Sequence, residues 1–268
     1  MTAWIDTVHA LSALTLDEVN EKAALQTRVD RKYIVRPDTW GNVLASLDSA
    51  PSVLEIDGRR SFRYSSTYYD TSQLDSYRDA ARSRPHRYKV RTRHYLDTGS
   101  SAVEVKMRSA SGATAKSRQW LDSDTPEGGH RLPADAATFV GEFERIGDKA
   151  HQLTEVLTTS YERVTLVTAD ARVTVDRHVA ADDVDGQHMD YGDLLIVETK
   201  SAGGAGAVDR ALWANGIRPA RISKYCTSLA ALRPELPSNR WSRSIRRYVP
   251  TTAAPATTAA AAAAAAAA

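Results

Sequence analysis

The stretch Tyr88-Lys89-Val90-Arg91-Thr92-Arg93 puts a cation at every second position, with Val90 and Thr92 between them. Side chains two apart share one face of a strand, so this segment has a basic face and a less polar one. Val103-Glu104-Val105-Lys106-Met107-Arg108 repeats the pattern with a carboxylate leading, and Lys116 and Arg118 continue it. Arg172, Thr174 and Asp176 alternate with Val173 and Val175, and Glu198 and Lys200 follow the apolar run Leu194–Val197. A solvated antiparallel sheet face accounts for any one of these strands. The set together is harder to explain that way, because like charges opposed across a sheet repel. Such a face is tolerated if a polyanion binds it, or if the sheet closes into a barrel whose lumen holds that anion.

Working outward, alternating runs predict strands at Arg28–Val35, Phe62–Asp70, His86–Tyr95, Ala102–Arg108, Lys116–Leu121, Arg163–Val179 and Leu194–Lys200. Helices are expected at Leu14–Leu25, after Pro37 through Trp40, Val43, Leu44 and Leu47, and at Ser72–Ala81, Ala136–Ile146, Ala150–Thr158, Val208–Asn215 and Ser223–Leu232. Asp122–Leu132 and Ala180–Gly192 have loop composition. Gly203, Gly204 and Gly206 lack the Lys-Ser/Thr that completes a P-loop, so Ser201–Ala207 reads as a turn before a helix. The fold class is α+β: mainly antiparallel, with flanking helices.

The chain has 268 residues, 42% of them hydrophobic, and a formal charge of +2. These values suit one packed domain over residues 1–250, followed by a low-complexity Thr/Pro/Ala tail at 251–268. The near-zero net charge argues against a generic nucleic-acid or membrane binder. The lone cysteine, Cys226, excludes an intrachain disulfide and a Cys-rich metal site and reads as a buried small residue. No apolar window suits a membrane span and the N-terminus lacks signal-peptide character, so a cytoplasmic protein is expected.

Several short motifs then resemble one family. Arg28-Val29-Asp30-Arg31-Lys32-Tyr33, Ser66-Thr67-Tyr68-Tyr69-Asp70-Thr71, Val90-Arg91-Thr92-Arg93-His94-Tyr95, Val103-Glu104-Val105-Lys106, Tyr161-Glu162-Arg163, Arg172-Val173-Thr174-Val175-Asp176, Val197-Glu198-Thr199-Lys200 and Arg221-Ile222-Ser223-Lys224-Tyr225 occur in the order of a VTC domain. This is the polyphosphate polymerase branch of the triphosphate tunnel metalloenzymes, and the resemblance covers about residues 24–248. It implies a closed β-tunnel with a basic lumen. It also implies phosphate contacts from Lys32, Arg91, Arg93, Lys106, Lys116, Arg163, Arg172, Lys200, Arg221 and Lys224. Of these, Arg91, Arg93, Lys106, Arg163, Arg172, Lys200 and Lys224 would act on the transferred group. Glu198 would hold Mn²⁺ or Mg²⁺, with Asp30 or Glu104 as a possible second carboxylate.

Many hydrolases of that superfamily begin with Glu-x-Glu-x-Lys, where this chain has Arg28, Asp30 and Lys32. The departure favours the polymerase branch, with ATP and inorganic polyphosphate as partners. Related polymerases pass product through a membrane channel, which implies a membrane-protein partner at the inner face; no sequence-specific nucleic acid is expected.

The chemistry is consistent with the residue types. Phosphoryl transfer is mostly positioning and charge neutralisation. Arg supplies planar forks and Lys compact charges, and a hard cation needs few protein oxygens when phosphate completes its shell. The end of a polyphosphate is already ionised and needs no general base, whereas a hydrolase must activate water. Hydrolysis of a triphosphate, and noncatalytic polyanion binding, are the rival readings. Plainer roles exist for single residues: Glu198 as a mere partner of Lys200 or a neighbouring Arg, Lys224 as a solvated lysine, Tyr68 and Tyr69 as core, and His86 and His94 as caps of the sheet.

Overall fold

The computed structural model describes residues 3–22, 29–110, 112–122 and 130–249. The expected tail, Arg28, and the Ala23–Leu25 end of the first expected helix lie outside the described residues. The elements in chain order are α1 (Ala3–Ala10), β1 (Ala13–Leu14), α2 (Leu16–Lys22), β2 (Val29–Val35), α3 (Pro37–Ala45), β3 (Ser52–Leu54), β4 (Phe62–Asp70), α4 (Asp75–Ala81), β5 (Tyr88–Tyr95), β6 (Ser100–Arg108), β7 (Thr114–Leu121) and α5 (Ala134–Gly141). A 3-10 helix (Gly147–Gln152), β8 (Thr154–Val167), β9 (Ala171–Asp183), β10 (His188–Asp190), β11 (Leu195–Ser201), α6 (Ala207–Ala214), α7 (Lys224–Leu232) and α8 (Ser242–Tyr248) follow.

Eight strands form one hydrogen-bonded path in the order β2-β11-β9-β8-β4-β5-β6-β7, every neighbouring pair antiparallel. The path curls as a half-barrel. Lys106 on β6 feels the charges of Lys32 on β2 and Glu198 on β11 across the concavity, which shows how far the two arms approach. The expected α+β antiparallel fold with flanking helices is therefore present. The ladder itself stays open between β2 and β7 among the described residues. Both edges carry cations on the concave side, Lys32 on one and Lys116 and Arg118 on the other, so direct pairing would bring like charges together.

The convex side is covered by helices. Tyr33, Val35, Val173, Val175, Leu195 and Val197 pack with Trp4, Trp40, Val43 and Leu212 from α1, α3 and α6. Val90, Val103, Val105 and Leu121 pack with Ala136, Ala137 and Val140 of α5. Opposite them the concave face keeps the alternate positions. At one end it is filled by α7, whose Tyr225, Cys226 and Leu229 pack on Ile34, Ile196, Tyr68 and Tyr161. Cys226 is fully buried, as expected of a small apolar residue.

Several boundaries differ from the sequence reading. Ala150–Thr158 reads as helix, but only a 3-10 turn ends there and β8 begins at Thr154, where Thr154, Val156, Thr158 and Thr159 favour the strand. The single expected strand Arg163–Val179 is a hairpin of β8 and β9. Thr168-Ala169-Asp170 makes its turn: the Thr168 amide donates to the Ala171 carbonyl (2.9 Å) and the Thr168 hydroxyl to Asp170 (2.8 Å). Within Ala180–Gly192, expected as loop, β9 runs on to Asp183 and is paired by β10. A bulge in β9 at His178, φ +50°, lies opposite Tyr161 and bends the strand.

A candidate anion-binding tunnel

Strand pairing sets the charged positions side by side in rows. Lys89, Lys106 and Lys116 are register partners across β5, β6 and β7, and Arg91, Glu104 and Arg118 form the adjacent row. On the other arm Lys32 faces Glu198, Asp30 faces Lys200, and Lys200 faces Arg172. Arg163 of β8 faces Asp176 of β9. All lie on the face opposite the helix-packed valines.

Three carboxylates anchor these cations. Glu104, 2% exposed, accepts from Arg91 through Nε (2.8 Å) and Nη2 (2.5 Å) and from Lys116 (2.8 Å), with Arg93 at 3.8 Å. Burial would raise its pKa, but these three cations hold it well below the carboxylate range. Asp176 takes both arms of Arg163 (2.6 and 2.8 Å) and the Lys224 ammonium. There too burial opposes ionisation and the cations win, holding it at about 2. Glu198 pairs with Lys32 (2.8 Å) and Lys200 (3.6 Å), and against the same penalty they keep it far below its usual value. The pairing of Glu198 with Lys200, expected as the plain alternative to metal binding, is thus present, and Lys32 is the closer partner.

Lys106 differs. Among the described residues nothing accepts a hydrogen bond from its ammonium, and Lys32 and Lys89 bear on it. Desolvation by the enclosing walls and then these like charges pull its pKa down to about 8, although the side chain is itself exposed to solvent. Lys116 is also pulled down: desolvation outweighs its contact with Glu104.

The C-terminal motif reaches this face through α7. Ser223 caps the helix by accepting from the Cys226 amide (3.2 Å), and its hydroxyl also accepts from Lys89 (2.7 Å). Lys224 follows in the first turn and lies 4.4 Å from the centroid of Tyr161. The Tyr161 hydroxyl accepts from Arg93 Nη2 (2.8 Å). Burial would raise that phenol, but Arg93, Arg163 and Lys224 together leave it below its ordinary pKa.

Of the expected phosphate-binding residues, Lys32, Arg91, Arg93, Lys106, Lys116, Arg163, Arg172, Lys200 and Lys224 share the concave face. Arg221 does not join their ion-pair network: it is exposed, and the charge it acts on is Arg240, itself close to Arg108. Asp176, Glu104, Lys89 and Tyr161 were given no phosphate role by the sequence, though strand alternation put Lys89, Glu104 and Asp176 on the charged faces. Tyr68 is core as expected, and its hydroxyl also accepts from Arg91 (3.1 Å); Tyr69 packs in the core behind β5. His94 bonds Ser101 on the neighbouring strand (2.7 Å).

The sequence matches the VTC domain over residues 27–233. No curated protein matches the chain in sequence. Among solved structures, a protein of Bacillus halodurans described as a candidate adenylate cyclase is 14% identical, covering 73% of this chain and 93% of that one at a TM-score of 0.45. A candidate adenylyl cyclase from Hippeastrum, titled as having a dominant triphosphatase activity, is 11% identical over 75% of this chain and 95% of its own, at 0.46. A conserved hypothetical protein of Pyrococcus furiosus gives 12% identity over 72% and 92%, at 0.40. At these scores the likenesses add nothing to the assignment, which rests on the sequence match and its extent: the chain belongs to the VTC domain family.

Proposed function

We propose that this protein transfers the terminal phosphoryl group of ATP to the end of an inorganic polyphosphate chain. The observation that carries the reading is the lysine row Lys89-Lys106-Lys116, three ammonium groups side by side with one buried carboxylate, Glu104, to one side. Opposed like charges in a sheet are unfavourable unless an anion joins them, and a row at strand spacing suits a string of phosphates.

In this reading a terminal oxygen of the polyphosphate attacks the γ-phosphorus, the bond from that phosphorus to the β,γ-bridging oxygen breaks, and ADP leaves. The nucleophile is already ionised, so no proton must be removed. Arg91, Arg93 and Arg163 bind the oxygens of the transferred group, and Lys224 with the open amides of α7 adds charge from the tunnel end. The alternative of hydrolysis needs a base for water, and Glu104, Asp176 and Glu198 are each already clamped by two or more cations.

A divalent cation is part of the proposal. No cluster of three or more His, Cys, Asp or Glu able to cage an ion occurs among the described residues. Mn²⁺ or Mg²⁺ shared with phosphate oxygens needs no such cage, and the hard carboxylate of Glu198, with Asp30 on the next strand, fits that demand. Bound there, the ion would neutralise phosphate charge, while Lys32 would turn from Glu198 to the substrate. No helix among the described residues is long and apolar enough to cross a membrane. A membrane-protein partner that takes up the product at the cytoplasmic face belongs to the same proposal. Sizing of the product formed from ATP and Mn²⁺ tests the reading.

A further inference from the structure

Trp120 is 54% exposed, the most exposed large apolar side chain among the described residues. It lies on β7, where Lys116, Arg118 and Trp120 alternate with Ser117, Gln119 and Leu121. Lys116 bonds Glu104 on the concave side and Leu121 packs in the convex core, so Trp120 belongs to the tunnel face. Its register partner is Ala102, whose methyl group leaves room beside the indole.

The ring is held in place. The Arg118 guanidinium lies 4.4 Å from the indole centroid and donates to the Tyr95 hydroxyl (3.2 Å), and the Tyr95 ring is 5.5 Å from Trp120. Tyr95 meets Tyr64 edge-on at 5.4 Å, and Tyr64 stacks on Tyr161 at 5.4 Å. An aromatic series therefore runs from the rim to the cations around Tyr161.

A single exposed tryptophan is not unusual in itself. Here it ends a strand face that also carries Lys116 and Arg118, beside the lysine row. Four residues of strand separate it from Lys116, about 13 Å at ~3.3 Å per residue. That is about the reach of an extended nucleoside triphosphate from its terminal phosphate to its base. A polyphosphate has no apolar part to meet an indole anchored between Arg118 and Tyr95, whereas a ligand that carries a ring does. Aromatic side chains flanked by cations are how proteins stack bases without reading sequence.

We infer that Trp120 is a stacking platform for the base of a nucleoside triphosphate whose terminal phosphate lies at Lys116, the β7 end of the lysine row, an inference that rests on the tunnel being a triphosphate site. It selects nucleotide over inorganic tripolyphosphate as phosphoryl donor. Stacking tolerates any base, and purines gain most from it.

The test is calorimetric titration of wild type, Trp120→Ala and Trp120→Phe with ATP and, separately, with inorganic tripolyphosphate, in Mg²⁺ buffer. Trp120→Ala is expected to weaken ATP binding about tenfold and to leave tripolyphosphate within about twofold, with Trp120→Phe close to wild type. Equal changes for both ligands, or none for ATP, would overturn the platform while the triphosphate site stands. If wild type binds neither ligand, the site falls and the platform with it.

Discussion

Lys106 stands directly opposite Lys89 across the β5–β6 ladder, with Lys32 bearing on it from the far arm of the half-barrel. Its ammonium loses its proton at about 8 as a result, first through desolvation and then through like charge. A bound phosphate raises that pKa again, so above pH 8 binding must take up a proton. Tripolyphosphate affinity is therefore expected to be flat with respect to this group below pH 8 and to fall by up to about tenfold per pH unit above it. Titration calorimetry between pH 6.5 and 9.5 checks this, and Lys106→Met should remove the inflection along with part of the affinity.

Acid should act through the opposite kind of shift. Glu104, Glu198 and Asp176 have folded-state pKa values below those of the unfolded chain, Asp176 at about 2. Their contribution is present above the unfolded value near about 4 and is lost as pH falls toward the folded values. Thermal melts from pH 7 to 2 are expected to drop mainly below pH 4. In Asp176→Asn, Arg163 and Lys224 lose their partner. The cost is about 3–5 kcal/mol, and that variant should regain more melting temperature from added tripolyphosphate than wild type does.

Glu198→Gln separates metal from anion. Freed from the carboxylate, Lys32 and Lys200 remain available to phosphate, so tripolyphosphate binding in EDTA should be unchanged or tighter. Metal-dependent turnover should be lost. Loss of EDTA-insensitive binding would show that Glu198 serves the fold by holding Lys32.

Lys224→Ala removes the cation that α7 brings to the tunnel, and with it one charge-assisted contact of about 1.5–3 kcal/mol. At least about a tenfold loss of activity is expected with an unchanged circular dichroism spectrum. Arg91→Ala and Arg93→Ala should weaken triphosphate binding and flatten its salt dependence, because fewer phosphate charges are then neutralised.

The strands that build the site were the legible part of the sequence. Period-two alternation in Lys89–Arg93, Glu104–Arg108 and Arg172–Asp176 assigns faces without any tertiary information, and the structure keeps those faces. Pairing was not legible. That Arg163 grips Asp176 follows from the turn and register of the β8–β9 hairpin, and that Lys32 lies nearer Glu198 than Lys200 does follows from register between β2 and β11, strands far apart in sequence. Tyr161 lies in a quoted motif, but its role was not legible, because an alternating tyrosine fits a core as well as a lumen. Ala150–Thr158 misled because Ala, Gln and Leu suit a helix locally, while pairing of Thr154–Thr159 with β4 decided for strand. Arg221 lies in the same short motif as Lys224. Arg221 is exposed and acts on Arg240, while Lys224 pairs with Asp176, a difference that sequence adjacency hides.

We propose above all that the basic face elongates polyphosphate. Incubation of the purified protein with ATP and Mn²⁺, followed by gel sizing of the products, tests it most directly. Phosphate chains that lengthen with time are expected, with release of ADP in step and loss of both in Glu198→Gln. Free phosphate as the sole product, or ATP retained without turnover, would contradict it.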